Sequence, residues 1–268
     1  MTATAQDKAG GFTVMELMIA TAIFLVICGA MFSLLQLSQQ KYSSETQLSG
    51  AFQETRLAVD QIVRDFNVSG YPARSLFSAL PADTSQYVVS PVAWDPSYAV
   101  SPCFIGTAGG GTCATPSDFD LIVETNLGNG AGVSWIRYQL IGTTLFRAVV
   151  PKTAGGDPVA ATSASGVMVP FLTNVMNNPS AAQQAQIVAS YPGMFPGGGP
   201  QPIFKYTCDT PAGLQPCASP LAGNYGVPNN IRDVDVALIV MTRQQDLQTR
   251  LPKLVELNGR GHRVNPSN

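Results

Sequence analysis

A carboxylate, Glu16, stands at the head of a run from Leu17 to Leu35 that carries no charge. The run is long enough to cross a membrane, which takes roughly 20 apolar residues. A charge carried on such a helix costs several kcal/mol near the bilayer centre, so an acid at this place is a functional residue by default. The chemistry that makes it tolerable is pairing: a buried carboxylate and a buried ammonium are acceptable together and costly apart. Just before it lies a second chemically suggestive feature, Gly10-Gly11-Phe12. An ordinary secretory signal places its apolar stretch before the small residues of the cut. Here the order is reversed. Cleavage after Gly11 removes only a short polar leader, residues 1–11, and leaves Phe12 as the new N-terminus of the apolar segment.

Five cysteines are the next candidates. Cys28 lies in the apolar run and reads as a small packing residue. Cys103 and Cys113, ten apart, and Cys208 and Cys217, nine apart, flank loop-like sequence rich in Gly or Pro. Four cysteines allow three connectivities. Short loops close at low entropic cost, which favours Cys103–Cys113 and Cys208–Cys217. A zinc site is the alternative, but it wants tighter pairs and usually histidine, and His262 is the sole histidine. Two disulfides fit an oxidising compartment.

No catalytic set emerges. His262 sits in a polar tail and reads as solvated. Serine nucleophiles need a base, and Gly109-Gly110-Gly111 and Gly197-Gly198-Gly199 lack the lysine and the strand–helix context of a phosphate loop. Asp118 with Asp120, and Asp233 with Asp235, have the spacing to share a strand face and offer oxygens to calcium. Without a full acidic loop they read instead as solvated strand carboxylates. The expectation is a protein that is not an enzyme, with no metal and no cofactor. At 12% charged residues and net charge −2, with no basic block, nucleic acid is not an expected partner.

The elements that must position these groups follow from periodicity. Residues 12–37 form the spanning segment. From Gln36 to Phe66 there is no proline, and Leu48, Phe52, Val59, Ile62 and Phe66 recur at helical spacings with Asp60, Arg64 and Asp65 between them. That is an amphipathic helix with a packing face, residues 38–67, and Ser69-Gly70-Tyr71-Pro72 ends it. The rest, residues 68–268, reads as one β-rich head. Strands are expected at Phe119–Glu124, at a hairpin of Val133–Ile141 with Thr144–Val150 around Gly142-Thr143, at Val167–Leu172 and at Ile203–Cys208. The clearest is Ile231–Thr242, followed by a tail strand from Lys253 to Leu257 or on to Val264. Long loops cover Leu76–Pro116 and Asn177–Pro202, the latter with a short helix over Ala181–Ser190. The fold class is α+β: a long N-terminal helix on an antiparallel, β-rich head with long loops.

Gly11-Phe12-Thr13-Val14-Met15-Glu16-Leu17 resembles the class III signal of type IV pilins and type II secretion pseudopilins. The resemblance implies cutting by prepilin peptidase between Gly11 and Phe12 and N-methylation at Phe12. It also implies that Glu16 meets the N-terminal amine of a neighbouring subunit. Trp135-Ile136-Arg137-Tyr138-Gln139-Leu140 with Leu145-Phe146-Arg147 resembles the paired strands of PilW-like minor pilins, and equally those of J-type minor pseudopilins. Ile203-Phe204-Lys205-Tyr206 and the strand at Ile231 continue that likeness, and Gln53-Glu54-Thr55-Arg56 to Phe66 resembles their post-span helix. The implied function is a minor pilin of the initiation or tip complex of a type IV pilus, with a minor pseudopilin of a type II secretion system as the alternative. Further alternatives are a single-span periplasmic enzyme and an adhesin whose loops bind. The implied partners are other pilin or pseudopilin subunits, prepilin peptidase, the inner-membrane assembly platform and membrane lipid. The implied location is the inner membrane with a periplasmic head, then the pilus.

Overall fold

A proline-free stretch from Phe12 to Tyr71 forms one helix, α1 (Val14–Asn67). The computed structural model describes residues 11–94, 103–105, 113–128, 130, 132–180, 182, 184–217, 225–246 and 249–264. The chain divides into two units, Met1–Thr46 and Gln47–Asn268, and α1 contributes to both.

In the first unit α1 is a candidate membrane span, with an unburied window of mean hydropathy 2.5. Its few polar groups are satisfied within the helix, as lipid requires. Thr21 Oγ1 donates to the Leu17 carbonyl at 3.0 Å and Ser33 Oγ to the Gly29 carbonyl at 3.0 Å.

In the second unit α1 buries Thr55, Ala58, Val59, Ile62, Asp65 and Phe66. The later half of the expected stripe is there, but Leu48 is only half-buried and Phe52 is exposed. For Phe52 the reason is geometric, whereas Leu48, about five full turns before Phe66, keeps the same face. A straight helix drifts about 20° per heptad from a 3.5-residue repeat. By Phe52, two heptads before Phe66, the apolar repeat has rotated off the contact face. Asp65, expected among the polar residues, lies on the buried face. The helix ends where Ser69 N–H bonds back to the Phe66 carbonyl (3.0 Å) and Gly70 takes φ +86°, a conformation glycine adopts without penalty.

The head holds two antiparallel sheets. The first runs β1 (Val92–Ala93), β2 (Asp120–Asn126), β3 (Val133–Ile141), β4 (Thr144–Pro151), β5 (Val169–Thr173) in spatial order. The second has β6 (Phe204–Thr210), β7 (Gly213–Pro216), β8 (Ile231–Gln245) and β9 (Pro252–His262), in the order β7-β6-β8-β9. The β3–β4 hairpin turns at Gly142, whose φ of +61° at the first of two loop positions meets the type II′ demand. The expected strand at Val167–Leu172 begins two residues later, at Val169. The tail strand extends to His262. The helix expected over Ala181–Ser190 contains a π-helical turn, Gln184–Val188, and residues 181 and 183 lie outside the described set. Parts of the Leu76–Pro116 loop likewise lie outside it. The short strands β1 and β7, and a five-residue helix α2 (Pro158–Thr162) capped by Asp157, were not expected.

The main core lies where the buried stripe of α1 meets inward residues of both sheets, among them Leu121, Ile136, Tyr138, Val234, Val236 and Leu238. The other face of the first sheet, Ile122 and Trp135, is covered by Ala93, Trp94 and the Cys103–Cys113 pair, with Val159 and Ala161 packed alongside. Against β9 the helix comes very close. A Cβ at Gly261 would stand 2.8 Å from Phe66 Cδ1, and one at Gly259 would run into Val59.

Candidate functional site

The N-terminal residues singled out by sequence stand at the start of α1. Gly11, Phe12 and Glu16 are all exposed. Thr13 precedes the first helical residue and Glu16 is the third residue of the helix. Thr13 N–H and Thr13 Oγ1 each donate to Glu16 Oε2 at 2.9 Å, and Glu16 N–H donates to Thr13 Oγ1 at 3.3 Å. This reciprocal pair is a capping box, which satisfies two of the four unpaired N–H groups at a helix start. The role of Thr13 was missed by the sequence reading, although the Thr-x-x-Glu spacing signals it. The negative carboxylate in the first turn also complements the helix dipole. The Glu16 carboxylate therefore rests on the backbone N–H of the residue next to Phe12.

Cys103 is bonded to Cys113 and Cys208 to Cys217, and Cys28 is free and half-buried. The second bridge ties β6 to the residue after β7, with both cysteines fully buried.

Asp118 is exposed and Asp235 half-exposed, but their neighbours Asp120 and Asp233 are buried rather than solvated. Asp120 receives a bidentate pair from Arg137, Nε to Oδ1 at 2.9 Å and Nη2 to Oδ2 at 2.5 Å. Burial raises the Asp120 carboxyl above its ordinary pKa, partly offset by Arg137. Asp233 is buried beneath two side chains of β9: Arg260 Nη2 donates to Oδ2 at 2.6 Å, and His262 Nδ1 lies 2.5 Å from Oδ1. Burial works to raise its pKa, but the hydrogen bonds from Arg260 and His262 outweigh that and hold it below the usual carboxylate range. The His262 side chain, expected to be simply solvated, is thus half-exposed and held against Asp233. The physical reason for both corrections is the same: each acid has a cationic side chain on the neighbouring strand. Among the described residues no group of three or more His, Cys, Asp or Glu is arranged to hold a metal ion.

Two further buried ionic sites escaped the sequence reading. Lys152, at the end of β4, donates to Glu124 Oε1 (2.5 Å) and to the Tyr87 carbonyl (2.9 Å). Glu124 also accepts from Val89 N–H and from the Trp135 indole. Asp65 on α1 accepts from Tyr138 and Arg147 through Oδ2 and from Gln61 through Oδ1. Burial, then the Asp65 charge, push the Tyr138 phenol far above its ordinary range. These are fully hydrogen-bonded sites facing the protein interior, the pattern of groups that fix packing. Asp65 was legible in principle, since it sits three residues after Ile62 and next to Phe66 on the buried stripe.

Compared with protein-family models, with curated proteins and with solved structures, the chain gives no match.

Proposed function

We propose that this chain is a minor pilin, a structural and assembly subunit of a type IV pilus. Prepilin peptidase cuts it after Gly11, and the new N-terminus at Phe12 is methylated. The apolar part of α1 holds it in the inner membrane with the β-rich head in the periplasm. From there it joins other pilin subunits, through the assembly platform, in an initiation or tip complex. The observation that carries this reading is the position of Glu16. It is the one acid between Phe12 and Leu37, the apolar part of α1, and its carboxylate lies on the N–H of Thr13, next to the residue that becomes the terminal amine. A carboxylate there has an ammonium partner close at hand, its own or a neighbour's, and so sets the register of one subunit against the next. The disulfide-tied head and the absence of a catalytic set from the sequence support a structural role.

Two experiments test it. Mass spectrometry of the mature protein reads its first residue: a chain beginning at N-methylated Phe12 supports the reading, and retention of residues 1–11 overturns it. The second separates charge pairing from helix capping. Glu16→Gln retains the capping-box chemistry, since Gln serves at that position, but has no charge. Filament incorporation is expected to fail for Glu16→Gln and for Glu16→Ala alike, with both variants still inserting in the membrane. Incorporation of Glu16→Gln at the wild-type level would reduce Glu16 to a helix cap.

A further inference from the structure

Among the described residues, β9 is an open edge strand of the second sheet. β9 is paired with β8 on one side, and the sheet order ends there. The direction of its free backbone groups is set by its neighbours. Ala237 and Met241 N–H bond to backbone carbonyls away from β9, and Ile239 N–H to Asn177 Oδ1. The intervening β8 residues Val234, Val236, Leu238 and Val240 therefore face Gly261, Gly259, Leu257 and Val255 of β9. Because strands alternate, Leu254, Glu256, Asn258 and Arg260 direct their N–H and C=O groups outward. Asn67 covers the far end, its Oδ1 accepting from His262 N–H at 2.8 Å.

Natural edges are normally blunted by proline, bulges, short length, charged side chains or a covering helix or loop. The other edges follow this rule. β1 has two residues, β7 has four and ends in Pro216, and β5 carries Pro170 and a register shift opposite Leu145/Phe146. β9 has no proline or bulge between Lys253 and His262, its register shift being confined to the hairpin end, so what guards this edge is charge, chiefly Glu256 and Arg260.

We propose that β9 pairs antiparallel with β9 of a second copy of this chain, joining the two four-stranded sheets into one across a two-fold axis at Asn258. The charge pattern selects this occupant and this register. Glu256 and Arg260 lie on one face of the strand, both exposed, with Asn258 midway between them. In a two-fold pairing centred on Asn258, Glu256 of each copy stands opposite Arg260 of the other. Directly opposite unlike charges stabilise an antiparallel pair and like charges destabilise it. Moving the axis to Glu256 or to Arg260 sets two like charges face to face. On the helix side the same register places Leu257 of one copy against Gly259 of the other, so no two bulky side chains collide. An isologous, self-complementary patch of this kind is what a two-fold interface requires. The pairing stands apart from the filament reading, since it does not depend on cleavage at Gly11.

The test uses the full-length chain in its membrane, with Cys28→Ser to remove the free thiol and Asn258→Cys as a probe. Residues exchanging both hydrogen bonds across antiparallel strands have Cα atoms about 5.5 Å apart, within the disulfide range of about 4.4–6.8 Å. Mild oxidation is expected to give a disulfide-linked homodimer. Leu214→Cys on β7, exposed on the opposite edge, serves as the collision control and gives at least tenfold less. Adding Glu256→Arg, a change at an exposed side chain, is expected to cut the Asn258→Cys dimer at least tenfold. Light scattering of the detergent-solubilised Cys28→Ser chain, with and without Glu256→Arg, reads the same shift from dimer to monomer without the probe. The proposal is overturned if the Asn258→Cys dimer does not exceed the control, if Glu256→Arg leaves dimer and mass unchanged, or if Asn258→Cys links only to a different protein.

Discussion

The Asp65 carboxylate on α1 accepts a 2.6 Å hydrogen bond from the Tyr138 hydroxyl on β3, and Arg147 on β4 closes the group by donating to the same oxygen at 2.8 Å. One side chain of the helix thus satisfies two strands of the first sheet. Removing it strands a buried phenol and a half-buried guanidinium. Asp65→Ala is expected to destabilise the head by about 3 kcal/mol, since breaking a buried pair leaves an uncompensated charge. Tyr138→Phe removes two hydrogen bonds, the one the hydroxyl donates to Asp65 and the one it accepts from Arg147 Nε at 2.9 Å, but it leaves Asp65 its Arg147 and Gln61 partners, so its cost is expected to be smaller, about 1–2 kcal/mol. Urea unfolding of the detergent-solubilised chain reads both. Equal losses for the two variants would mean that Asp65 acts through Tyr138 alone.

Asp233 links stability to pH with a definite sign. Its carboxyl titrates below the ordinary range in the folded chain, while the unfolded value is about 3.9. Between those two values the unfolded state binds more protons, so stability rises with pH there. The contribution is complete above the unfolded pKa and is lost as pH falls through the folded one. The groups that face Asp233 are Arg260 and His262 on β9, and Arg260 also approaches Asp235 at 3.8 Å. Wild type is therefore expected to melt a few degrees above Asp233→Asn at neutral pH, and the gap to close as the acid is titrated below about pH 4. A gap that holds constant down to pH 2 would show that Asp233 stabilises by packing rather than by charge.

What could be read beforehand depended on how local the signal was. The span at α1 and the alternating strand β8 are long, regular patterns that one dominant interaction explains. The β3–β4 hairpin needed only Gly142 at a two-residue turn. The short strands β1 and β7 have no pattern of their own and exist by virtue of the strands beside them. Asp65, Asp120 and Asp233 were read as polar surface because a carboxylate alone looks solvated. Their cationic partners, Arg147, Arg137 and Arg260, are supplied by strands that only the fold brings near. At the N-terminus the reverse held: Thr13 and Glu16 are close in sequence, so the capping box was legible, but the spacing also fits the cleavage signal and was assigned to it alone. The tail shows the same limit. Gly259-Arg260-Gly261 falls in the polar tail where the strand from Lys253 is expected to end at Leu257 or run on to Val264, and nothing in it marks this as the part of β9 over which α1 passes.

That passage makes a last prediction. Gly259 and Gly261 leave room for Val59 and Phe66 of α1, and at Gly259 an added Cβ meets the Val59 side chain, with Val63 Cγ2 at 3.1 Å. Neither glycine has a positive φ, so space and not backbone conformation is what a methyl group would violate. Overpacking of this kind costs about 1–3 kcal/mol, and Gly259→Ala is expected to fall in that range. Val59→Ala alone opens a cavity and is also destabilising. In the double variant the new methyl group occupies part of the space that Val59 vacates. Residues in direct contact depart from additivity by about 0.5–3 kcal/mol. The double variant is therefore expected to be more stable than the sum of the singles by at least about 1 kcal/mol, read from urea midpoints at unchanged slope. Strict additivity would mean that helix and strand are not in contact at Gly259, and the close approach of α1 to β9 would have to be abandoned.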